Sequence, residues 1–444
     1  MANIGFISLG CAKNQVDCER MMYRVREAGH EVCEGIEGCD VVVINTCGFI
    51  DSAKSEAIDH ILLVAQLKEQ GSVGKILVTG CLSQRYQGQI MEELPEVDGV
   101  LGTGSYTEIV PAIERLLADE AVSEFGSIDA PEEETGRIVT TPEHYAFIKI
   151  AEGCDNRCAY CVIPYLRGKF RSRQMDDVLY EARLLADSGV KELIVVAQDT
   201  SRYGTDLPGH QRLLPELLRQ MCQIDGLDWV RIHYLYPDEI DDALIDVIAS
   251  EPKIVKYLDI PIQHCNSKIL KLMNRRGDGD YLRQLFTKLR NRIPGLVLRT
   301  SVITGLPGEG EEEFEELCLF LKELKLERVG AFPFSPEEGT PAAEMEHPDA
   351  ETAQERAAMV ETIQSRIMDM YNEAMIGKTV QVIVDGFDSE FEQYYGRTYA
   401  DSPGIDGRVW IAHDEDLTEG SFVTVCIDGL IEGDLSGYIM EEDQ

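Results

Sequence analysis

The chain is short of positive charge and of long apolar runs. Its 41 Lys and Arg residues stand against 80 Asp and Glu among 444 residues, a formal net charge of −39. Such a surface repels phosphate backbones and attracts basic proteins. Direct nucleic-acid binding is therefore not expected, although an acidic surface kept for solubility is the plainer reading of the charge. No apolar stretch reaches the roughly 20 residues needed to span a bilayer, which argues against a membrane partner. The opening residues, Met1 to Ile7, carry no basic region ahead of their apolar stretch and read as a first strand rather than a signal peptide. A cytoplasmic protein is expected. Several catalytic signatures are also missing. Gly377-Lys-Thr379 lacks the upstream glycine of a phosphate loop, because position 372 is Asn. Gly102-Thr-Gly104 is followed by Thr107 where a dinucleotide fingerprint needs its third glycine. There is no serine nucleophile elbow and no His-Glu-x-x-His. Nucleotide hydrolysis, nicotinamide chemistry and zinc proteolysis drop out.

What the chain does have is cysteine: 13 of them. In a reducing compartment that number argues for metal ligation or catalysis rather than a disulfide framework. Cys154-x3-Cys158-x2-Cys161 places three thiols on one loop after an apolar strand. A structural zinc site nearly always takes four ligands, as does an ordinary iron–sulfur cluster. Three ligands on a four-iron cluster leave one iron open for a substrate. Cys11, Cys47 and Cys81 lie far apart but share a context, each closing a buried-type strand (Phe6-Ile-Ser-Leu-Gly-Cys11, Val43-Ile-Asn-Thr-Cys47, Leu77-Val-Thr-Gly-Cys81). In an open parallel sheet the strand C-termini lie along one edge, where ligands bind. Three unrelated core cysteines is the bland alternative for each taken singly; as a trio at equivalent positions they point to a second metal centre. The other seven cysteines (Cys18, Cys33, Cys39, Cys222, Cys265, Cys318, Cys426) lack such a context and read as structural, with Cys39 and Cys265 the nearest to exceptions.

Strand-like runs alternate with helical patterns, which indicates parallel α/β architecture. Residues 1–120 read as an N-terminal doubly wound α/β domain, with strands at Ile4–Leu9, Val41–Thr46, Ile76–Thr79 and Gly99–Leu101. Helices are expected near Asn14–Ala28, Ser52–Glu69, Gln84–Leu94 and Tyr106–Leu117. Residues 121–143, acidic and turn-rich, read as a linker. Residues 144–376 carry six strands (Ala146–Ala151, Leu193–Gln198, Trp229–Leu235, Tyr257–Pro261, Val297–Ile303, Arg328–Phe334) and a closing helix, Ala350–Met375. That is a central partial (β/α)6 barrel with its active site at the C-terminal strand ends. Residues 377–444, with short strands punctuated by Gly and Asp, read as a small β-barrel.

Other strand ends supply candidate cofactor contacts. Gln198 and Asp199 stand where an amino group can be held. Arg299 and Ser301 lie in Leu298-Arg-Thr-Ser-Val-Ile-Thr-Gly-Leu-Pro-Gly-Glu309, a strand entering a Gly/Pro turn, and suit a carboxylate or hydroxyl. His264 closes a third strand; a lone histidine there is more often a satisfied structural group.

The Cys154/Cys158/Cys161 spacing, with Tyr160 before its last cysteine, resembles the signature of radical S-adenosylmethionine enzymes. The wider frame resembles the methylthiotransferase family over essentially the whole chain, which makes the last domain TRAM-like. Ser8-Leu-Gly-Cys11, Asn45-Thr-Cys-Gly-Phe-Ile50, Val196-Ala-Gln-Asp199, Asp259-Ile-Pro-Ile-Gln-His264, Phe334-Ser-Pro-Glu-Glu-Gly-Thr-Pro341 and Arg397-Thr-Tyr-Ala-Asp401 are similar to the ribosomal-protein branch of that family. The resemblance implies two 4Fe-4S clusters, one on each cysteine trio. It also implies adenosylmethionine held at the open iron on Cys154, Cys158 and Cys161, near Tyr160. One-electron reduction, from a donor such as a flavodoxin or ferredoxin, would release a 5′-deoxyadenosyl radical. That radical would abstract hydrogen from the β-carbon of an aspartate in the twelfth protein of the small ribosomal subunit. The second cluster would deliver a methylated sulfur, in a dry pocket capped between three domains.

Residues 377–444 hold 16 acidic residues against three basic ones, a local charge of −13. A barrel that binds tRNA needs a positive face, whereas this one suits a basic ribosomal protein. Two alternatives remain open at this point: tRNA adenosine methylthiolation, and a non-enzymatic iron–sulfur carrier or scaffold.

Overall fold

The protein is described by a computed structural model covering residues 1–131 and 133–440. Glu132 of the expected linker and Glu441, Glu442 and Asp443 of the acidic tail lie outside the described residues. No helix among them is long and apolar enough to cross a membrane.

The N-terminal body contains β1 (Asn3–Ser8), α1 (Ala12–Glu27), β2 (Glu31–Val32), β3 (Cys39–Thr46), α2 (Asp51–Glu69), β4 (Val73–Gly80), α3 (Cys81–Tyr86), α4 (Gln89–Glu93), β5 (Gly99–Leu101), α5 (Ile109–Leu117) and β6 (Val122–Glu124). All six strands are parallel, in the order β2-β1-β3-β4-β5-β6. The alternation along β3 serves two cores, Val42 and Ile44 entering one and Val41 and Val43 the other. This is how a parallel sheet covered on both faces must be built. Three local expectations need correction. Val122–Glu124 pairs with β5, so the linker begins later than its acidic composition suggests. The expected helix Gln84–Leu94 starts at Cys81 and breaks at Gln87, whose φ is +47°. The helix expected from Tyr106 opens as a 3-10 turn over Thr103–Glu108.

The central body contains β7 (Tyr145–Lys149), β8 (Ala151–Glu152), α6 (Ile163–Arg167), β9 (Arg171–Ser172), α7 (Met175–Asp187), β10 (Glu192–Val196), α8 (Leu214–Cys222), β11 (Trp229–Ile232), α9 (Asp242–Ser250), β12 (Ile254–Asp259), α10 (Ser267–Leu272), α11 (Gly279–Arg292), β13 (Val297–Thr304), α12 (Glu311–Leu324), β14 (Arg328–Pro333) and α13 (Ala350–Glu373). Strands β7, β10, β11, β12, β13 and β14 form one open parallel sheet in that order, the expected partial barrel. The strand expected over Ala146–Ala151 divides at Ile150, and β8 turns away to pair with β9.

The last body is a closed barrel of β15 (Thr379–Asp388), β16 (Gln393–Arg397), β17 (Val409–Ala412), β18 (Phe422–Ile431) and β19 (Asp434–Ile439). It docks against the N-terminal ends of the central strands. Arg397 reaches Glu192, the first residue of β10, at 2.6 Å, and the Arg231 guanidinium donates to the Tyr399 carbonyl at 2.9 Å. Ser402 Oγ lies 3.1 Å from His233 Nε2, and the Tyr257 hydroxyl donates to Asp406 at 2.6 Å. The Arg397–Asp401 motif is therefore docking chemistry. It plugs the barrel floor, so the expected capping of one pocket by three domains is corrected: the N-terminal body covers the C-terminal strand ends, and the C-terminal barrel closes the opposite end.

Candidate iron–sulfur centres

Cys11, Cys47 and Cys81 follow β1, β3 and β4, three adjacent strands whose C-terminal ends straddle the point where strand order reverses. Open α/β sheets bind ligands at that point. Close approach of their loops depends on glycine. Gly10 has φ +87°, and a Cβ there would stand 2.6 Å from the Cys47 Cβ. Gly80 has φ +96°, and its Cβ would meet the Thr46 carbonyl oxygen at 2.3 Å.

The three thiols feel one another. Burial pushes Cys81 up to about 11, with the nearby Cys47 and Cys11 adding to it, and burial also raises Cys47. Burial pushes Cys11 upward too, but the Lys13 ammonium, the Arg167 guanidinium and the backbone N–H groups of Asn14 and Lys13 outweigh it, so the net shift is downward. Arg167 Nε donates to Cys81 Sγ at 3.3 Å. The same guanidinium reaches Asp17 (2.5 Å), Glu152 (3.2 Å) and Asn14 Oδ1 (2.7 Å), and Lys149 pairs with Asp17 and with Glu152. These buried charges join α1 to the central body.

The Cys154/Cys158/Cys161 loop lies at the C-terminal ends of the central strands. Burial raises Cys154 to about 11, and it raises Cys161 further, with Cys158 and Cys154 adding to the shift. Arg275 NH1 lies 3.7 Å from Cys158 Sγ and 3.2 Å from the Tyr160 hydroxyl. Its NH2 donates to the Pro261 carbonyl at 2.6 Å, while the guanidinium lies 4.4 Å from the Tyr236 ring centroid. The Tyr236 hydroxyl stands 4.0 Å from Cys158 Sγ. All 13 cysteines are free thiols. Among the described residues no three Cys, His, Asp or Glu side chains close around one point as a single metal ion requires. A four-iron cluster takes each thiolate on a different iron and makes no such demand. Thiols that raise one another are a donor set that a cationic cluster relieves, releasing their protons as it binds. Both trios fit such a group.

The other candidates divide. Gln198 donates to Glu152 at 2.5 Å and keeps a buried Oε1 without a partner. Asp199 accepts from Asn156 at 2.8 Å and from Ser201, and burial raises its pKa. Tyr160 packs among Ala159, Met273, Leu306 and Phe334. Arg299 lies deeper in the barrel, paired with Asp259 at 2.9 Å. Ser301 is half-buried in β13, and its carbonyl accepts from the Gln263 N–H. His264 is fully buried, and its Nε2 makes no hydrogen bond among the described residues. Its Nδ1 accepts from the Asn266 N–H at 2.9 Å, and its Nε2 faces Glu309 at 3.3 Å. Lys13, Arg167, Tyr234, Tyr236 and Arg275 were not singled out in the sequence. The available signal was basic residues, scarce in this chain, lying within a few positions of a cysteine trio or, for Arg275, doubled in a turn before a glycine.

The model of the "Uncharacterized protein family UPF0004" matches residues 3–102, that of the "Radical SAM superfamily" residues 148–321, and that of the "TRAM domain" residues 376–440. The ribosomal protein uS12 methylthiotransferase RimO of Lachnoclostridium phytofermentans is 47% identical over 438 residues, covering 98% of this chain and 99% of the relative. Its namesake from Clostridioides difficile is 43% identical over 444 residues, covering 100% of each. The radical S-adenosylmethionine methyltransferase TsrM of Kitasatospora setae shares the fold at 13% identity, with a TM-score of 0.59 over 77% of each chain. The cobalamin-dependent S-adenosylmethionine radical enzyme OxsB does so at 12% identity and a TM-score of 0.55, over 82% of this chain and 56% of its own. End-to-end identity at this level, on a chain whose cysteine loops meet at two strand-end sites, places the protein in the ribosomal protein uS12 methylthiotransferase RimO family of radical S-adenosylmethionine enzymes.

Proposed function

We propose that the protein methylthiolates the β-carbon of an aspartate in ribosomal protein uS12. In this reading Cys154, Cys158 and Cys161 hold the 4Fe-4S cluster that binds adenosylmethionine, and Cys11, Cys47 and Cys81 hold a second one. The observation that carries it is a single turn serving both sites. Tyr236 stands beside Cys158, and two residues earlier the Tyr234 ring lies over Lys13, next to Cys11. When bound, the clusters and adenosylmethionine supply a carbon-centred radical at one site and transferable sulfur at the other.

The chain's residues do the rest. Arg275 ties the Cys158–Tyr160 loop to Pro261 and Tyr236. Asn156 links the same loop to Asp199 at 2.8 Å. Gln198, with its free buried oxygen, and Asp199 are the polar groups at the strand ends suited to the adenosylmethionine amino group. Arg167 and the amides after Cys11 favour thiolates at the second trio. Glu337, which accepts from Lys54 at 3.0 Å and from Arg85 at 2.5 Å, latches the N-terminal body over the site and excludes water. The acidic C-terminal barrel, with Glu390, Glu392, Asp414, Glu415, Asp416 and Glu419 exposed, complements a basic protein rather than tRNA. The protein works in the cytoplasm with a flavodoxin- or ferredoxin-type donor.

Anaerobic reconstitution should load roughly eight irons per chain, falling to roughly four when Cys11, Cys47 and Cys81 are all replaced by Ala. Mass spectrometry after incubation with uS12 and tRNA together should find the methylthio group on uS12. Modified tRNA beside untouched uS12 overturns the substrate assignment.

A further inference from the structure

Lys13 is a buried ammonium that pairs with no carboxylate among the described residues, the Cys11 thiol being the acidic group beside it. It lies in the first turn of α1, two residues beyond Cys11, and is only 8% exposed. The carboxylates nearest the trio, Asp17 and Glu152, are engaged by Lys149 and Arg167. No ion pair of Lys13 exists among the described residues. Its Nζ instead lies 3.6 Å from the centroid of the Tyr234 ring. A cation–π contact recovers part of the hydration lost on burying an ammonium, but less than a carboxylate would. Tyr234 is itself held at φ +61°, a left-handed conformation that a tyrosine rarely adopts. Strain at a residue that stacks on a buried cation is the kind of outlier from which function is inferred. The same turn continues to Tyr236, whose hydroxyl is 4.0 Å from Cys158 Sγ. Lys13 therefore belongs to the ground between the two cysteine trios.

We infer that Lys13 determines specificity for the target side chain, its ammonium pairing with the carboxylate of the aspartate to be modified. The inference rests on the reading above that the target is an aspartate. An aspartate carboxylate is bonded directly to the β-carbon and is ionised near neutral pH. A cation that fixes the carboxylate thus fixes the reacting carbon one bond away. A buried cation also rejects the isosteric amide, which leaves the charge uncompensated. A purely local alternative is that Lys13 only favours the Cys11 thiolate, a role it would share with Arg167 and two backbone amides.

The test uses cluster-loaded wild type, Lys13→Met and Lys13→Gln. Their affinities are measured for uS12 and for uS12 with the target aspartate changed to asparagine, and iron per chain is assayed on every sample. Wild type should bind the aspartate form about 10- to 100-fold tighter than the asparagine form. Both variants should keep their iron and bind the two forms equally. A variant that preserves the aspartate preference overturns the inference. So does loss of about half the iron in both variants, because Lys13 would then serve the Cys11 trio. A wild-type enzyme that leaves the aspartate form unmodified overturns the functional reading instead, whatever Lys13 does.

Discussion

At the scale of single residues, Arg167 carries the most interactions at the second trio. One guanidinium meets Cys81, Asp17, Glu152 and Asn14, all of it buried. Removing one partner of a buried charge network leaves the others uncompensated, at a cost of about 3–5 kcal/mol. Arg167→Ala should therefore lower unfolding free energy by about 3 kcal/mol, since Lys149 still engages Asp17 and Glu152, as read by denaturant titration. It should also lower iron retention at the Cys11 trio. Arg167→Lys restores the charge but not the planar fork, so its iron retention should fall between wild type and Ala. Arg275 is the corresponding group at the first trio, where it holds a thiol, a tyrosine hydroxyl and a carbonyl together.

At the scale of elements, each cysteine of the second trio sits at a strand-to-helix junction whose geometry depends on a glycine. In the β1–α1 junction, the left-handed Gly10 lets the chain pass the Cys47 side chain. Gly10→Ala adds a methyl 2.6 Å from the Cys47 Cβ and a backbone strain of about 1–3 kcal/mol. Iron content should drop from roughly eight to roughly four per chain, with the adenosylmethionine site still loaded. An unchanged iron count would mean that the junction relaxes freely. The long apolar strands were plain in the sequence because a sheet buried on both faces leaves an uninterrupted apolar run. β2, β6, β16 and β19 were not seen. They are edge or barrel strands of two to six residues, too short or too polar to show a period. The break between α3 and α4 was hidden for a related reason, as Gln87 adopts a left-handed backbone without being Gly or Asn.

At the scale of the whole molecule, ion pairs bind the bodies together beyond the Asp17 network at the second trio. Glu337 latches the N-terminal body, and Glu192, at the foot of β10, accepts from both Arg231 and Arg397. Burial opposes the Glu192 charge, but the two guanidinium groups win and bring its pKa from 4.5 down to about 2. A depressed carboxylate contributes stability that is present above its unfolded pKa and lost as pH falls through the folded value. Docking of the C-terminal barrel should thus weaken between pH 4.5 and about 2. Trp229 packs edge-on against Phe422 across this interface, at 4.9 Å between ring centroids, so tryptophan fluorescence reports it. Glu192→Gln should already be loosened at neutral pH and show a shallower acid transition. An acid profile identical to wild type would place the pH sensitivity elsewhere.

By itself the sequence determined the chemistry. Three thiols on one loop, and three more each closing a buried strand, pointed to two iron–sulfur sites, because strand periodicity and cysteine spacing are local properties. Tertiary structure decided who meets whom. Asp17 and Arg167 are 150 residues apart in the chain and 2.5 Å apart in the fold. Arg397 and Glu192 are separated by 205 residues and meet at 2.6 Å. It also decided that Arg299 pairs with Asp259, and that the acidic barrel closes the floor of the central sheet rather than its cysteine end. Such pairings follow from desolvation. A charge removed from water must find a partner wherever the packed elements bring one, and no local pattern records where that will be.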